Sequence, residues 1–111
     1  MDAKKIVLTT TGSQEEARKI ARTLLVRRLA ACVNVVGPME SIYRWQDAVE
    51  TAEEWLLLIK TTAAAFPALH DAIRELHSYD LPECVQIPIE TGSPDYLDWI
   101  QKNVGEPGCA D

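Results

Sequence analysis

Residues 55–62, Trp-Leu-Leu-Leu-Ile-Lys-Thr-Thr, constrain the fold more than any other part of the chain. The run begins with five consecutive apolar residues and is short, which favours a strand. Because side chains alternate between the two faces of a strand, large apolar groups lie on both faces. One face carries Leu56 and Leu58, and the other carries Trp55, Leu57 and Ile59. A strand of this kind is expected to be buried on both faces.

Hydrophobic periodicity and turn residues predict the other elements. Ser13 followed by Glu16 fits a capping box at the start of the first helix, and Pro67 suits the first turn of the second. Pro88 has no N–H to donate and places the last strand at a sheet edge. Strands are predicted over residues 4–11, 31–45, 55–62 and 84–90, and helices over residues 13–29, 64–77 and 93–100.

Two segments carry turn signals. Gly37-Pro38 interrupts the second strand and predicts a bulge or an edge position. Residues 46–54 are polar and are expected to contain a hairpin turn. The acids of this segment are interpreted as a solvated hairpin rather than a catalytic pair: Asp47, Glu50, Glu53 and Glu54.

The order β-α-β-β-α-β with a terminal helix is typical of the ferredoxin-like α+β fold, in which two helices cover one face of an antiparallel four-stranded sheet. The other face would then have no helix over it, although residues 55–62 require both faces to be buried. At 111 residues the chain has room for one domain, residues 1–111. We therefore expect a single domain that oligomerises through bare sheet faces, with residues 103–111 as a flexible tail.

Composition excludes several classes of protein. The net charge is −6 and no basic stripe is present, which disfavours a nucleic-acid or anionic-membrane binder. No apolar run approaches the roughly 20 residues needed to span a bilayer. The first residues lack the apolar region of a secretory signal, so a cytoplasmic location is expected. The three cysteines, Cys32, Cys84 and Cys109, form no C-x-x-C pair, which argues for separate reduced thiols.

The spacing of the two histidines limits how a metal site could be built. His70 and His77 lie seven residues apart on one predicted helix, about 10.5 Å between Cα atoms, too far to chelate one metal together. A metal site would have to gather donors from different segments or subunits, and the candidates are Cys32, His77 and Glu83. Sulfur and imidazole donors suit copper better than magnesium or calcium.

Other residues have both a functional and a structural explanation. Tyr43 and Trp45 share one side of the second strand, and aromatic packing in the core or at an interface is the favoured explanation for them. Lys60 ends an apolar strand, where a charge is either functional or reaches solvent along its alkyl stem. No pair of a nucleophile and a base can be named, so a non-enzymatic protein is expected.

Five blocks, in order, resemble the CutA divalent-cation tolerance family, and the resemblance covers residues 4–102. The blocks are A-A-C-V-N-V (30–35), S-I-Y-R-W (41–45), L-L-L-I-K-T (56–61), E-L-H-S-Y-D-L-P-E (75–83) and Y-L-D-W-I (96–100). The resemblance implies a ferredoxin-like homotrimer whose long hairpin reaches across to a neighbour. It also implies a role in tolerance of copper and other divalent metals. Because the trimer is similar in architecture to PII signalling proteins, sensing of a small ligand is the alternative.

The resemblance also implies a cleft between subunits. The family positions carried onto this chain are Cys32, Asn34, Ser41, Tyr43, Trp45, Lys60, His77, Tyr79, Pro82 and Glu83. In the leading hypothesis, copper or another divalent cation binds Cys32, His77 and Glu83, and no cofactor is obligatory. In the alternative, a small anionic metabolite lies near Lys60, with aromatic side chains as walls: Tyr43, Trp45 and Tyr79.

Two positions depart from the family pattern. Ser78 stands where the family commonly has proline, which is expected to loosen the turn after the second helix. Gly37-Pro38 stands where the family commonly has Pro-Gly, which is expected to shift the bulge by one residue.

Overall fold

The computed structural model describes residues 2–106 and places three helices and a four-stranded antiparallel sheet within them. The α+β class and the predicted order of elements are confirmed. The strands are β1 (Lys4–Thr11), β2 (Cys32–Trp45), β3 (Ala48–Thr62) and β4 (Val85–Pro88), and the helices are α1 (Gln14–Val26), α2 (Phe66–Leu76) and α3 (Pro94–Lys102).

The sheet order is β2-β3-β1-β4, so β3 and β1 are central. β1 pairs with the second half of β3, from Lys4 opposite Thr62 to Thr11 opposite Trp55. The apolar run 55–62 therefore has a neighbouring strand on each side. Its Leu57 and Ile59 are buried, whereas Leu56 and Leu58, on the other face, are half-buried in the single subunit. β4 is short and lies at an edge, where Pro88 does not interrupt a ladder on its outer side.

Helices α1 and α2 cover the first face of the sheet. Ser13 caps α1 by accepting a 3.1 Å hydrogen bond from the Glu16 N–H, as the capping-box pattern predicts. The apolar side of each helix packs against alternate residues of β1 and β3. The buried cluster between them consists of Val7, Ala17, Ile20, Ala21, Leu24, Ala30, Leu57, Ile59, Leu69, Ala72 and Ile73.

The first helix ends at Val26, three residues before the predicted end. Arg28 has φ +57°, a left-handed conformation that no residue of the helix itself can adopt. The Arg28 N–H donates to the Leu25 carbonyl at 3.0 Å, and the Leu29 N–H donates to the Leu24 carbonyl at 2.9 Å. This is a Schellman motif with arginine in the position that glycine usually occupies, so the sequence carries no stop signal there.

The prediction that residues 46–54 contain a hairpin turn is confirmed, whereas the predicted start of the third strand, residue 55, was seven residues too late. The turn consists of Gln46 and Asp47 alone, with φ +49° and +65°, and β3 already begins at Ala48. Residues 39–45 and 48–54 pair only with each other, because β1 ends opposite Trp55. They form a two-stranded projection, residues 39–54, which we call the arm. The arm accounts for the elongated shape of the subunit, 47 × 26 × 21 Å.

The second face of the sheet, opposite α1 and α2, is not bare as predicted. Helix α3 contacts β1 and β3, yet its buried Ile100 lies outside the cluster that α1 and α2 form with the sheet. We conclude that α3 covers part of the second face. Val104 is also buried, and the Gly105 N–H donates to the Arg28 carbonyl at 2.8 Å. Packing therefore continues past residue 103, where a tail was predicted; residues 107–111 of that tail lie outside the described residues.

Candidate functional site

The bulge in β2 brings the predicted site residues onto one face. The pairing with β3 shifts between Val36 and Met39, which inserts one extra residue at Gly37-Pro38 and confirms the predicted bulge. Before the bulge, even-numbered residues of β2 lie on the second face; after it, odd-numbered residues do. The predicted residues that share the second face are Cys32, Asn34, Ser41, Tyr43, Trp45 and, from β3, Lys60.

These residues form two groups at different places on that face. Near the base of β2, the Lys60 ammonium donates to Asn34 Oδ1, and Cys32 Sγ lies 3.9 Å from the same oxygen. Among residues 2–106, no carboxylate lies within ion-pair distance of Lys60. This first group is therefore a cation held by an amide, with a half-buried thiol beside it.

The second group lines a groove of about 470 Å³ where the arm leaves the body of the subunit. We call it the arm groove. It brings together Ser41, Tyr43, Tyr79 and Glu83, four of the predicted cleft residues. Its remaining lining comes from β1, the arm, the part of β3 next to the arm and the turn after α2: Thr10, Met39, Ile42, Glu54, Leu56 and Leu81.

The two groups are separate within one subunit. Lys60 lies four residues along β3 from Leu56, which lines the arm groove, a distance of about 13 Å along the strand. Tyr43 pairs with Glu50, ten residues from Lys60, or about 33 Å. Trp45 lies opposite Ala48, farther from Lys60 along the arm than Tyr43 does. A site that joins Lys60 to these aromatic side chains would need groups from more than one subunit.

His77 holds the turn after α2 against β1. Its ring Nε2–H donates to the Thr10 carbonyl at 2.6 Å, and its Nδ1 accepts the Tyr79 N–H at 3.1 Å. The partners determine the tautomer, because a carbonyl can only accept and a backbone N–H can only donate. The His77 side chain is fully buried. Both nitrogens are thus occupied, and a metal could bind His77 only after one of these bonds had broken.

The three predicted metal donors do not meet in one subunit. Within residues 2–106, no group of three or more histidine, cysteine and acidic side chains is placed to hold a metal ion. Cys32 pairs with Lys60 on β3, whereas His77 contacts Thr10, which lies opposite Leu56. The metal site stays a prediction that requires donors from neighbouring subunits.

Ser78 does not loosen the turn as predicted. Its N–H donates to Glu16 Oε2 at 2.7 Å, and its hydroxyl donates to Glu16 Oε1 at 3.1 Å. A proline at this position could make neither bond. The serine therefore ties the turn to the first turn of α1. Pro82 lies at the rim of a separate depression beside His77 and Tyr79, outside the arm groove.

Tyr79 and Glu54 close one side of the arm groove. The Tyr79 hydroxyl donates to Glu54 Oε2 at 2.9 Å. Burial, together with the hydrogen bond to Glu54 and its negative charge, raises the pKa of Tyr79 to about 12. Sequence reasoning missed Glu54, because it was interpreted as a solvated hairpin acid. Its even-numbered position, in phase with Leu56 and Leu58, was the available signal that it shares the second face.

Comparison with known proteins identifies the family. The model of the CutA1 divalent ion tolerance protein family matches residues 5–103. The chain belongs to the CutA1 divalent ion tolerance family. It is 50% identical over 101 residues to the divalent-cation tolerance protein CutA of Thermus thermophilus, covering 91% of this chain and 98% of that protein. The family assignment made from the sequence blocks is confirmed.

Comparison with solved structures supports the same family assignment. A solved structure of the Thermus thermophilus divalent cation tolerance protein has a TM-score of 0.90 at 50% identity, covering 92% of this chain and 99% of that one. A CutA1 protein from Oryza sativa, named as chloroplastic, is 37% identical over 91% of this chain, and the match spans 57% of that longer protein. Within residues 2–106 of this CutA1-family chain, none of the helices is long and apolar enough to cross a membrane.

Proposed function

We propose that this chain acts in tolerance of divalent cations, as a homotrimer that binds copper or a similar divalent metal ion between subunits. The observation that carries the proposal is the match to the divalent ion tolerance family over residues 5–103. We further propose that the protein is non-enzymatic and cytoplasmic, and that it needs no obligatory cofactor. In this proposal residues 1–111 form one domain.

The proposed assembly is a ferredoxin-like trimer. The strand order β2-β3-β1-β4, with α1 and α2 on one face, supports the ferredoxin-like description. Val36 on the second face is 49% exposed, and Ile42 and Val49 on the arm are 64% and 67% exposed. Apolar side chains at these positions favour burial against another copy. Sedimentation equilibrium at micromolar concentration tests the trimer, and a stable monomer there would contradict it.

The metal part of the proposal concerns Cys32, His77 and Glu83. Cys32 is half-buried and Glu83 is exposed, so both are open to a neighbouring subunit. His77 would first have to give up a bond to Thr10 or Tyr79. Metal binding through His77 should therefore be coupled to a rearrangement of the turn after α2.

Copper titration by calorimetry tests these ligand assignments on the full chain. We expect Cys32→Ser and His77→Ala to weaken copper binding, while the matched controls Cys84→Ser and His70→Ala leave it unchanged. Circular dichroism and sedimentation of each variant show whether it is folded and assembled before the titration. Unchanged binding in both test variants contradicts the assignments.

A second candidate function is the sensing of a small anionic metabolite. The observation that favours it is Lys60, whose ammonium donates to Asn34 and has no carboxylate partner among the described residues. In a trimer, aromatic side chains from another copy would have to supply the walls. A thermal-shift screen of metabolites tests this candidate. A ligand whose effect disappears in Lys60→Ala supports it, and a screen without any hit at millimolar concentration counts against it.

A further inference from the structure

The arm leaves the body of the subunit at a point where the sheet ladder is weakest. On one side, β1 ends opposite Trp55, so residues of β3 before Trp55 have no partner in β1. On the other side, β2 is bulged between Val36 and Met39, and pairing resumes with Met39 opposite Glu54. A bulge interrupts the ladder and bends the strand. We call this junction, residues 36–39 of β2 and residues 54–55 of β3, the hinge of the arm.

One side-chain hydrogen bond connects the body to the arm at the hinge. Among residues 2–106, the 2.9 Å bond from the Tyr79 hydroxyl to Glu54 Oε2 is the one side-chain hydrogen bond between the arm and the rest of the chain. No ion pair within those residues involves the arm. Tyr79 belongs to the turn after α2, and Glu54 is the last arm residue on β3. The bond therefore spans the place where the ladder gives the arm least support.

Tyr79 is itself held by the body of the subunit. Its N–H donates to His77 Nδ1 at 3.1 Å, and the centroids of the two rings are 4.7 Å apart. His77, whose side chain is fully buried, donates in turn to the Thr10 carbonyl. The Tyr79 hydroxyl also passes close to Gly12, where a Cβ would lie 3.1 Å from the hydroxyl oxygen. A side chain restrained in this way gives up little rotamer freedom when it bonds Glu54.

The bond does not depend on a free surface. Glu54 is half-buried and Tyr79 is 37% exposed in the single subunit. A neighbouring copy laid over the second face would exclude water from both groups. Hydrogen bonds to a carboxylate become stronger when water is excluded. Assembly would therefore strengthen this contact.

We propose that Tyr79 locks the hinge through its bond to Glu54 and holds the arm in one orientation. The inference goes beyond the proposed function, and rests on it only in taking a neighbouring copy as what the arm meets. An arm that is already oriented loses less conformational entropy on assembly than an arm that swings. Tyr79 is thus a positioning residue for the arm, and Glu54 is its acceptor.

Pulsed electron paramagnetic resonance on the full chain measures the orientation of the arm. Spin-labelled unnatural amino acids replace Arg44, near the tip of the arm, and Lys19, on the exposed side of α1. Labelled chain is mixed with an excess of unlabelled chain, so that each assembly carries one labelled pair. We expect a single narrow distribution of distances between the labels. Tyr79→Phe and Glu54→Ala, which remove the bond, should each lose this narrow distribution.

Two further variants should keep the narrow distribution. Glu54→Gln retains a side-chain carbonyl that accepts from the Tyr79 hydroxyl, so it should restore what Glu54→Ala loses. Tyr96→Phe is the matched control, because it removes a phenol hydroxyl from α3, away from the hinge. Circular dichroism at the temperature of measurement shows that each variant is folded, so that a change in the distribution reports on the arm.

A Tyr79→Phe distribution as narrow as that of the parent protein overturns the inference, and so does an equal loss in Tyr96→Phe. A loss in Glu54→Gln as large as in Glu54→Ala also overturns it, since the hydrogen bond would then not be the lock. Sedimentation of the same variants separates the proposals. A trimer whose distribution stays narrow in Tyr79→Phe leaves the proposed assembly standing and refutes the lock. A monomer in which the narrow distribution is lost supports the lock and contradicts the trimer.

Discussion

The hydroxyl of Tyr79 donates a 2.9 Å hydrogen bond to Glu54 Oε2, across 25 residues of sequence. This bond joins the turn after α2 to the arm at the point where the arm leaves the sheet. The same turn is held to β1 through His77 and to α1 through Ser78. Three separate segments thus position one wall of the arm groove.

The first prediction concerns the titration of Tyr79. Its pKa is raised from 10.0 to about 12 in the folded protein, so the neutral phenol is favoured by folding. Burial and the bond to Glu54 together cause this shift, so the stability linked to the neutral phenol should be fully present below pH 10 and should be lost as the pH rises from 10 to 12. Ultraviolet absorbance of tyrosinate measures the titration. The wild type should show a late step near pH 12, and Tyr79→Phe should remove it.

Glu54→Gln gives the matching control, because it keeps a partner for the Tyr79 hydroxyl but removes the negative charge. The late step should move to lower pH in this variant, while Glu53→Gln should leave it in place. A late step that persists in Tyr79→Phe would assign it to Tyr43 or Tyr96 and refute the prediction.

Replacing Ser78 with proline should destabilise this protein. The backbone before it suits proline, since His77 has ψ 142°. The cost comes from the two hydrogen bonds to Glu16, which proline cannot make, and we expect about 1–2 kcal/mol. Ser78→Ala, which keeps the N–H, should lose less. Guanidinium unfolding at fixed protein concentration measures both.

A double-mutant cycle tests whether the loss of the bonds to Glu16 causes the destabilisation by Ser78→Pro. In a Glu16→Ala background, Ser78→Pro should cost little or become favourable, because proline restricts the unfolded chain. The same cost in both backgrounds would mean that Glu16 is not the reason.

Gly37 should not accept a side chain. A Cβ at this position would lie 2.7 Å from Trp55 Cγ, closer than such atoms approach. We expect Gly37→Ala to destabilise the protein by about 1–3 kcal/mol, since the indole or the bulge must move. Gly92→Ala is the control, because its Cβ would meet Leu97 at an ordinary 3.6 Å. Equal unfolding midpoints for the two variants would refute this account of the bulge.

Thr9→Val should stabilise the protein. The Thr9 hydroxyl is fully buried and has no hydrogen-bond partner among the described residues. Valine has nearly the same shape and removes the unsatisfied group, so a gain of about 1 kcal/mol is expected. Thr61→Val should do the opposite, because the Thr61 hydroxyl donates to the Leu29 carbonyl at 2.7 Å. Thermal unfolding of the pair at one protein concentration checks the difference in sign.

Element order and the central position of residues 55–62 were predictable because they depend on local periodicity. Alternating or helical spacing records which side of an element faces apolar surroundings, and capping residues mark where an element begins. The helix end at Arg28 was not predictable, since its left-handed conformation comes without glycine. Nor was the position of α3, because an amphipathic helix does not specify which sheet face it covers.

The residues of the candidate site could be predicted only in part, because their grouping depends on contacts between distant segments. Family blocks named Ser41, Tyr43, Tyr79 and Glu83, and the structure places all four around one groove. Glu54 was dismissed because a polar neighbourhood suggests solvent.

By itself the sequence determined the α+β class, the doubly apolar strand and the bulge at Gly37-Pro38, because each follows from interactions between near neighbours. Tertiary structure decided what the functional side chains are free to do. His77 has both ring nitrogens bound by backbone groups, one of them 67 residues away. Glu16 is committed to Ser78 across 62 residues. Such contacts depend on how distant segments pack, which local sequence pattern does not encode.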